Sequence, residues 1–214
     1  MLPRAWTRDV TAVDRLTHWT GWDRRGGGSG VDGTAAFEHS PETDGEVRFE
    51  LLAVAARGFR PPQFLTVRDL SADEDSDRSA SDAGAHLRAT WSLVYQEVAE
   101  TAPEGVVPHA IYLLGVNPPE GVTDEELEVF NDFYTNVHLV EVAERRHALR
   151  AVRYELAREV KPPYQGAPRF LATYAVDEAG ATNRRHVGPP YSSGPKVWQR
   201  HTTPWRLWYR RLTS

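Results

Sequence analysis

Asn131, Tyr134 and His138 follow one another at i, i+3 and i+7, a spacing that sets three side chains along one edge of a helix. An amide, a phenol and an imidazole in a row are the parts of cofactor-free proton transfer. Imidazole is the only side chain whose ordinary pKa lies near neutrality, so His138 is the candidate general acid/base. Tyr134, one turn earlier, could hydrogen-bond an oxyanion or orient the ring, and Asn131 could hold a carbonyl. The same residues would serve equally as satisfied polar groups of a core helix. What they face decides between the two.

The element that must position them is Thr123 to His138, T-D-E-E-L-E-V-F-N-D-F-Y-T-N-V-H. Thr123 with Glu126 three residues later is a capping box, and Asp124, Glu125 and Glu126 suit the positive end of a helix dipole. Leu127, Phe130, Tyr134 and Val137 recur at helical spacing, so the face beside the polar edge is built for burial. Pro118-Pro119 ends whatever precedes it.

Other chemistries find less support. The chain has no cysteine, which removes thiolate catalysis, disulfides and cysteine-ligated zinc. His138 and His147 lie nine apart with Glu141 and Glu144 between them, but no H-E-x-x-H or comparable spacing occurs, so no metal is expected. There is no G-x-S-x-G elbow. Gly28, Gly30 and Gly33 spell G-x-G-x-x-G, yet the strand that should precede a dinucleotide loop and the helix that should follow are missing. Asp73, Asp75 and Asp77 open like a calcium loop, but Arg78 and Gly84 stand where glycine and glutamate are needed. A net charge of −5 without a basic stripe argues against nucleic acid. No run approaches the roughly 18 apolar residues of a membrane span, and the start lacks an apolar leader. The expectation is a cytoplasmic protein with no membrane association.

With 214 residues, 40% of them hydrophobic, the chain can bury a substantial core. The patterning predicts helices over 5–18 and 83–100, and strands over 47–56, 63–70, 109–116, 149–157 and 169–177. A short helix near 196–201 and a last strand over 205–212 complete the reading. Val47-Arg48-Phe49-Glu50-Leu51 recurs as Val152-Arg153-Tyr154-Glu155-Leu156, an offset of 105, and Pro62-Gln-Phe-Leu as Pro168-Arg-Phe-Leu, an offset of 106. Two matches in order with nearly one offset argue for duplication. The implied domains are 1–105, a degenerate first unit whose leading strand is short or missing, and 106–214, with β-α-β-β-α-β order and the candidate site. Setting Trp6-Thr7 against Tyr134-Thr135 puts Thr11 or Val10 opposite His138, so the site is expected only in the second unit.

The run from Gly115 to Val142, followed by A-V-R-Y-E-L and P-R-F-L-A-T-Y-A-V-D, resembles the dimeric α/β-barrel superfamily, in particular its EthD-like branch. Residues 109–177 carry the likeness, with Phe130, Phe133-Tyr134 and His138 on the helix pattern. The chain departs from the pattern at Arg146-His147-Ala148, where Pro-Gly-Phe is common. The resemblance implies an α+β fold of two ferredoxin-like repeats whose antiparallel sheets form an intramolecular barrel, as a monomer with an internal pseudo-dimer or as a homodimer. It further implies cofactor-free chemistry on a small hydrophobic, aromatic or polyketide-like compound in secondary metabolism: decarboxylation, dehydration, cyclisation or isomerisation. Quinone-forming monooxygenation and ligand binding without catalysis are the alternatives, and the superfamily has one heme-binding branch. His138, Tyr134 and Asn131 are the expected catalytic residues. Phe130, Tyr154, Tyr174, Arg153 and Trp198 are expected to bind substrate.

Overall fold

The computed structural model describes residues 10–24, 37, 45–54, 60–70, 87–102, 105–183 and 191–213. Among the described residues there are eight strands: β1 (Thr11–Arg24), β2 (Val47–Val54), β3 (Phe64–Leu70), β4 (Leu87–Glu100), β5 (Ala110–Asn117), β6 (Arg150–Lys161), β7 (Phe170–Val176) and β8 (Thr202–Arg211). They close into one antiparallel barrel in the order β1-β3-β2-β8-β5-β7-β6-β4, so no sheet edge is left unpaired. Helix α1 (Asp124–Phe133) runs through a π-helical turn, Tyr134–His138, into α2 (Leu139–Arg145). Two short helices, α3 (Glu178–Thr182) and α4 (Lys196–Gln199), lie between β7 and β8.

Two of the expected helices are strands. Within 5–18, the described residues from Thr11 onward belong to β1, and 87–100 is β4. The leading strand expected to be short or missing in the first half is therefore β1, 14 residues long. The reason is burial on both faces. In β4, Trp91 to Tyr95 are all buried, one set inside the barrel and the other outside. Such a strand shows no alternation, and its apolar residues fall by chance on a helical stripe. The comparison of Trp6-Thr7 with the helix, the glycine-rich stretch 26–33 and the acidic run 71–82 lie outside the described residues.

The strands of each half take the same order, β4-β1-β3-β2 and β8-β5-β7-β6, and the repeated segments keep the same register. Phe49 stands opposite Leu65 and Tyr154 opposite Leu171. Contacts between the halves are reciprocal. The Tyr95 hydroxyl donates to the carbonyl of Pro168 at 2.8 Å, and the Tyr209 hydroxyl to that of Pro62 at 3.0 Å. Gly21 leaves room for Pro62 and Trp91, and Gly115 for Pro168 and Trp205. Trp91 and Trp205 stack on each other, centroids 5.6 Å apart, and plug one end of the barrel.

The interior core includes Trp19, Leu65, Leu93, Leu113, Leu171 and Leu207. A second core lies outside the barrel, where α1, the π turn and α2 cover β5, β6 and β7. The helix opens as expected, with both hydrogen bonds of the Thr123/Glu126 capping box in place. It ends in a Schellman motif: Ala148 N–H reaches the Ala143 carbonyl and His147 N–H that of Glu144. His147 sits at φ 51°, in the left-handed conformation that glycine normally supplies. The departure from Pro-Gly-Phe thus keeps a tight turn, with a β-carbon in a strained position. Among the described residues, no helix is long and apolar enough to cross a membrane.

Candidate functional site: the cleft between helix and sheet

The π turn decides how the polar edge of the helix is presented. Leu139 N–H bonds the Tyr134 carbonyl, five residues back, which widens one turn of the helix. Such turns are rare and gather at functional positions. Here the widened turn begins at Tyr134 and ends at His138.

The structure brings most of the expected residues together. Phe130, Tyr134, Phe170, Tyr174 and Trp198 form one buried cluster. Trp198, delivered by α4, lies 4.6 Å from the His138 ring and 5.0 Å from that of Tyr134. Tyr134 and His138 meet edge to face at 5.9 Å. Tyr154 is apart from them. It sits on the opposite face of β6 and points into the barrel.

Asn131 and Arg153 are occupied with each other. Arg153 is only 4% exposed; it donates to Asn131 Oδ1 at 2.5 Å and to Thr135 Oγ1 at 2.8 Å. Its guanidinium also lies over the rings of Tyr134 and Phe170, at 4.7 and 4.5 Å. The arrangement pins the helix to the sheet and leaves the Asn131 carbonyl oxygen bonded within the protein. The equivalent Arg48 of the first half does the same, donating to the Phe37 carbonyl at 2.8 Å with its guanidinium 5.4 Å from that ring.

Three polar atoms in the cleft are buried without a hydrogen-bond partner among the described residues: Tyr134 Oη, Tyr174 Oη and His138 Nδ1. A buried donor left unpaired costs about 1–3 kcal/mol, so each of the three calls for a partner beyond the described residues. Burial pushes the phenols of Tyr134 and Tyr174 well above their ordinary range, and each stays a donor at any working pH. Burial, with His201 adding to it, lowers the His138 imidazole from 6.5 to about 4, against the opposing pull of Glu141. The ring is neutral at pH 7.

Residues missed in the sequence complete the site. Tyr191 meets His138 edge to face at 5.4 Å. Ser192 bonds Glu141 of α2 through backbone and side chain, and the Arg145 guanidinium covers Tyr191 at 4.2 Å. Gly194, at φ +67°, allows the segment to pass so close to Phe133 and Trp198 that a β-carbon would collide with both. His201 stacks on Trp198 at 4.2 Å. The only sequence signal for this strap was Gly194-Pro195 in a loop rich in small residues.

No family model matches the chain, and no curated protein matches it. Among solved structures it is similar to the crystal structure of a chlorite dismutase-like protein, over 94% of this chain and 96% of that one, with a TM-score of 0.54 and 8% sequence identity. The likeness is one of fold. The chain has a dimeric α/β-barrel fold, closed within a single polypeptide.

A heme-binding branch of that fold invites a test of His138 as an axial ligand. Such a histidine is normally held by a hydrogen bond from its second ring nitrogen. Nδ1 of His138 has none among the described residues, and the rings of Trp198, Tyr191 and Tyr134 crowd around it. The residues do not fit an axial ligand. No cluster of three or more metal-ligating side chains occurs among the described residues.

Proposed function

We propose that the chain is a cofactor-independent enzyme that moves a proton on a small hydrophobic, aromatic or polyketide-like carbonyl compound held between the helix and the sheet. The observation that carries this reading is that three polar atoms of the aromatic cluster and the π turn beside it, Tyr134 Oη, Tyr174 Oη and His138 Nδ1, are buried without a partner among the described residues.

The chemistry follows from the charges. His138 is neutral, so it serves as a base; Tyr134 and Tyr174 are protonated, so they donate to oxygen. Proton abstraction beside a carbonyl or from a phenol builds negative charge on oxygen, which fixed donors in a dry site stabilise. A base of pKa about 4 is weak, so the proton it removes must already be acidic, as in a polyketide-type 1,3-dicarbonyl or a benzylic ketone. Decarboxylation, dehydration, cyclisation and isomerisation of such compounds all share an enolate-like intermediate. Phe130 and Trp198 supply the apolar and stacking walls.

The tandem reading of the fold belongs to the same proposal. Residues 1–105 and 106–214 are two ferredoxin-like units, the first structural and the second carrying the site, and one chain stands where other barrels need a dimer. The matched strand orders, the shared register and the reciprocal tyrosine bonds support it.

A thermal-shift screen against aromatic ketones, polyphenols and polyketide-like compounds tests the cleft. A ligand should raise the wild-type midpoint by several degrees and leave His138→Ala unmoved, since binding to the native state alone raises stability. Equal responses from both proteins would remove His138 from the site.

A further inference from the structure

The barrel is filled at the end where Trp91 and Trp205 stack, and hollow at the other. There a cavity of about 370 Å³ opens, within the size range of small-molecule sites. Both halves build it. The first contributes Arg15, Trp19 and Glu97, and the second Arg150, Tyr154 and Arg211. None of these belongs to the cleft under the helix, which lies on the outer face of the same sheet.

Its walls divide by chemistry. Trp19 and Tyr154 meet edge to face at 5.3 Å, and Phe49 and Ile111 continue an apolar floor. At the mouth, Glu97 is 3% exposed and is held by Arg15 through a short hydrogen bond and by Arg150 at 3.7 Å. Arg150 is also bonded to Glu100. Four arginines, Arg15, Arg68, Arg150 and Arg211, thus line the cavity with two carboxylates, Glu97 and Asp69; Asp69 is 66% exposed and lies 3.9 Å from Arg15, and Glu100 is half-buried. Arg68 is engaged within the protein, which leaves Arg211. It is half-buried, lines the cavity and makes no side-chain ion pair among the described residues.

The internal symmetry shows that this charge arrangement is specific to the cavity. By the offset that relates Tyr95 to Tyr209, Arg211 is the counterpart of Glu97, and Phe49 is that of Tyr154. An otherwise symmetric barrel therefore carries an acid on one side of its mouth and an unpaired base on the other. A cation beside an apolar chamber selects an anion with a hydrophobic body, because a half-buried guanidinium gains from a carboxylate that it can grip with two N–H groups.

We propose that this chamber binds a small aromatic carboxylate, its carboxylate held by Arg211 and its ring laid against Trp19 and Tyr154. The site is independent of the proton-transfer cleft. Titration calorimetry on the full chain with benzoate, and with benzamide as its neutral counterpart, tests it. Benzoate should bind saturably at one site in wild type and equally in His138→Gln, at least ten-fold more weakly in Arg211→Gln, and at least ten-fold more tightly than benzamide. Arg211 has no partner to strand, so the variant should fold. Absence of saturable benzoate binding, equal binding of benzamide, an unaffected Arg211→Gln, or loss of binding in His138→Gln would each overturn the proposal.

Discussion

His138 is the residue on which the functional reading turns, and its environment makes a prediction that does not require a substrate. Its imidazole titrates at about 4 in the folded chain against 6.5 when free, a difference worth about 3 kcal/mol. Because the folded value is the lower one, this stability is fully present above pH 6.5 and is lost as pH falls toward 4. His201, Arg145 and Arg206 face the ring with like charge and Glu141 opposes them. In urea titrations between pH 7 and 4, wild type should lose stability more steeply than His138→Gln, by about 2–3 kcal/mol over that span; parallel curves would place the ring in solvent. The sequence made His138 and Tyr134 legible because helical spacing put them on one edge. It could not show that Asn131 is taken up by Arg153, because that bond joins residues 22 apart in the chain. Arginine on a strand ordinarily reads as solvated; this one is buried because Tyr134 and Phe170 offer ring faces to its guanidinium.

At the scale of elements, what could be read was what repeats locally. The capping box, the apolar stripe of α1 and the strands β2, β3, β5, β6 and β7 carried their signals in neighbouring residues. β1 and β4 did not, because strands buried on both faces lose the period that identifies them. The π turn left no sequence signature either, since one extra residue in a turn changes no residue type. The turn after α2 carries a specific expectation. His147 holds a left-handed conformation that disfavours any residue with a β-carbon. His147→Gly should therefore stabilise the chain by about 1 kcal/mol, read as a higher denaturant midpoint with an unchanged slope. A loss of stability would mean that the imidazole makes contacts worth more than the strain.

For the whole molecule, the two offsets of 105 and 106 in the sequence correspond to strands that hold the same places in the two halves of the barrel. The offsets for β1 and β4 differ, 94 and 114, which is why the sequence alone did not extend the match to those strands. Reciprocity can be measured. Tyr95→Phe and Tyr209→Phe each remove one phenol–carbonyl bond between the halves and strand a buried proline carbonyl. Each should cost about 1–2 kcal/mol, with the two costs equal within error. A large inequality would break the equivalence of the halves.

In the proposed function His138 removes a proton in the cleft while Tyr134 steadies the oxygen. Hydrogen–deuterium exchange at the benzylic C1 position of 2-tetralone, followed by proton NMR in D2O, tests it without knowledge of the natural substrate. Wild type should accelerate exchange over buffer, with a rate that rises through about pH 4 and stays level across neutrality. His138→Gln should lose about 100-fold or more of that acceleration, and Tyr134→Phe a smaller share. No acceleration by wild type, or an equal rate and pH profile in His138→Gln, would contradict the assignment.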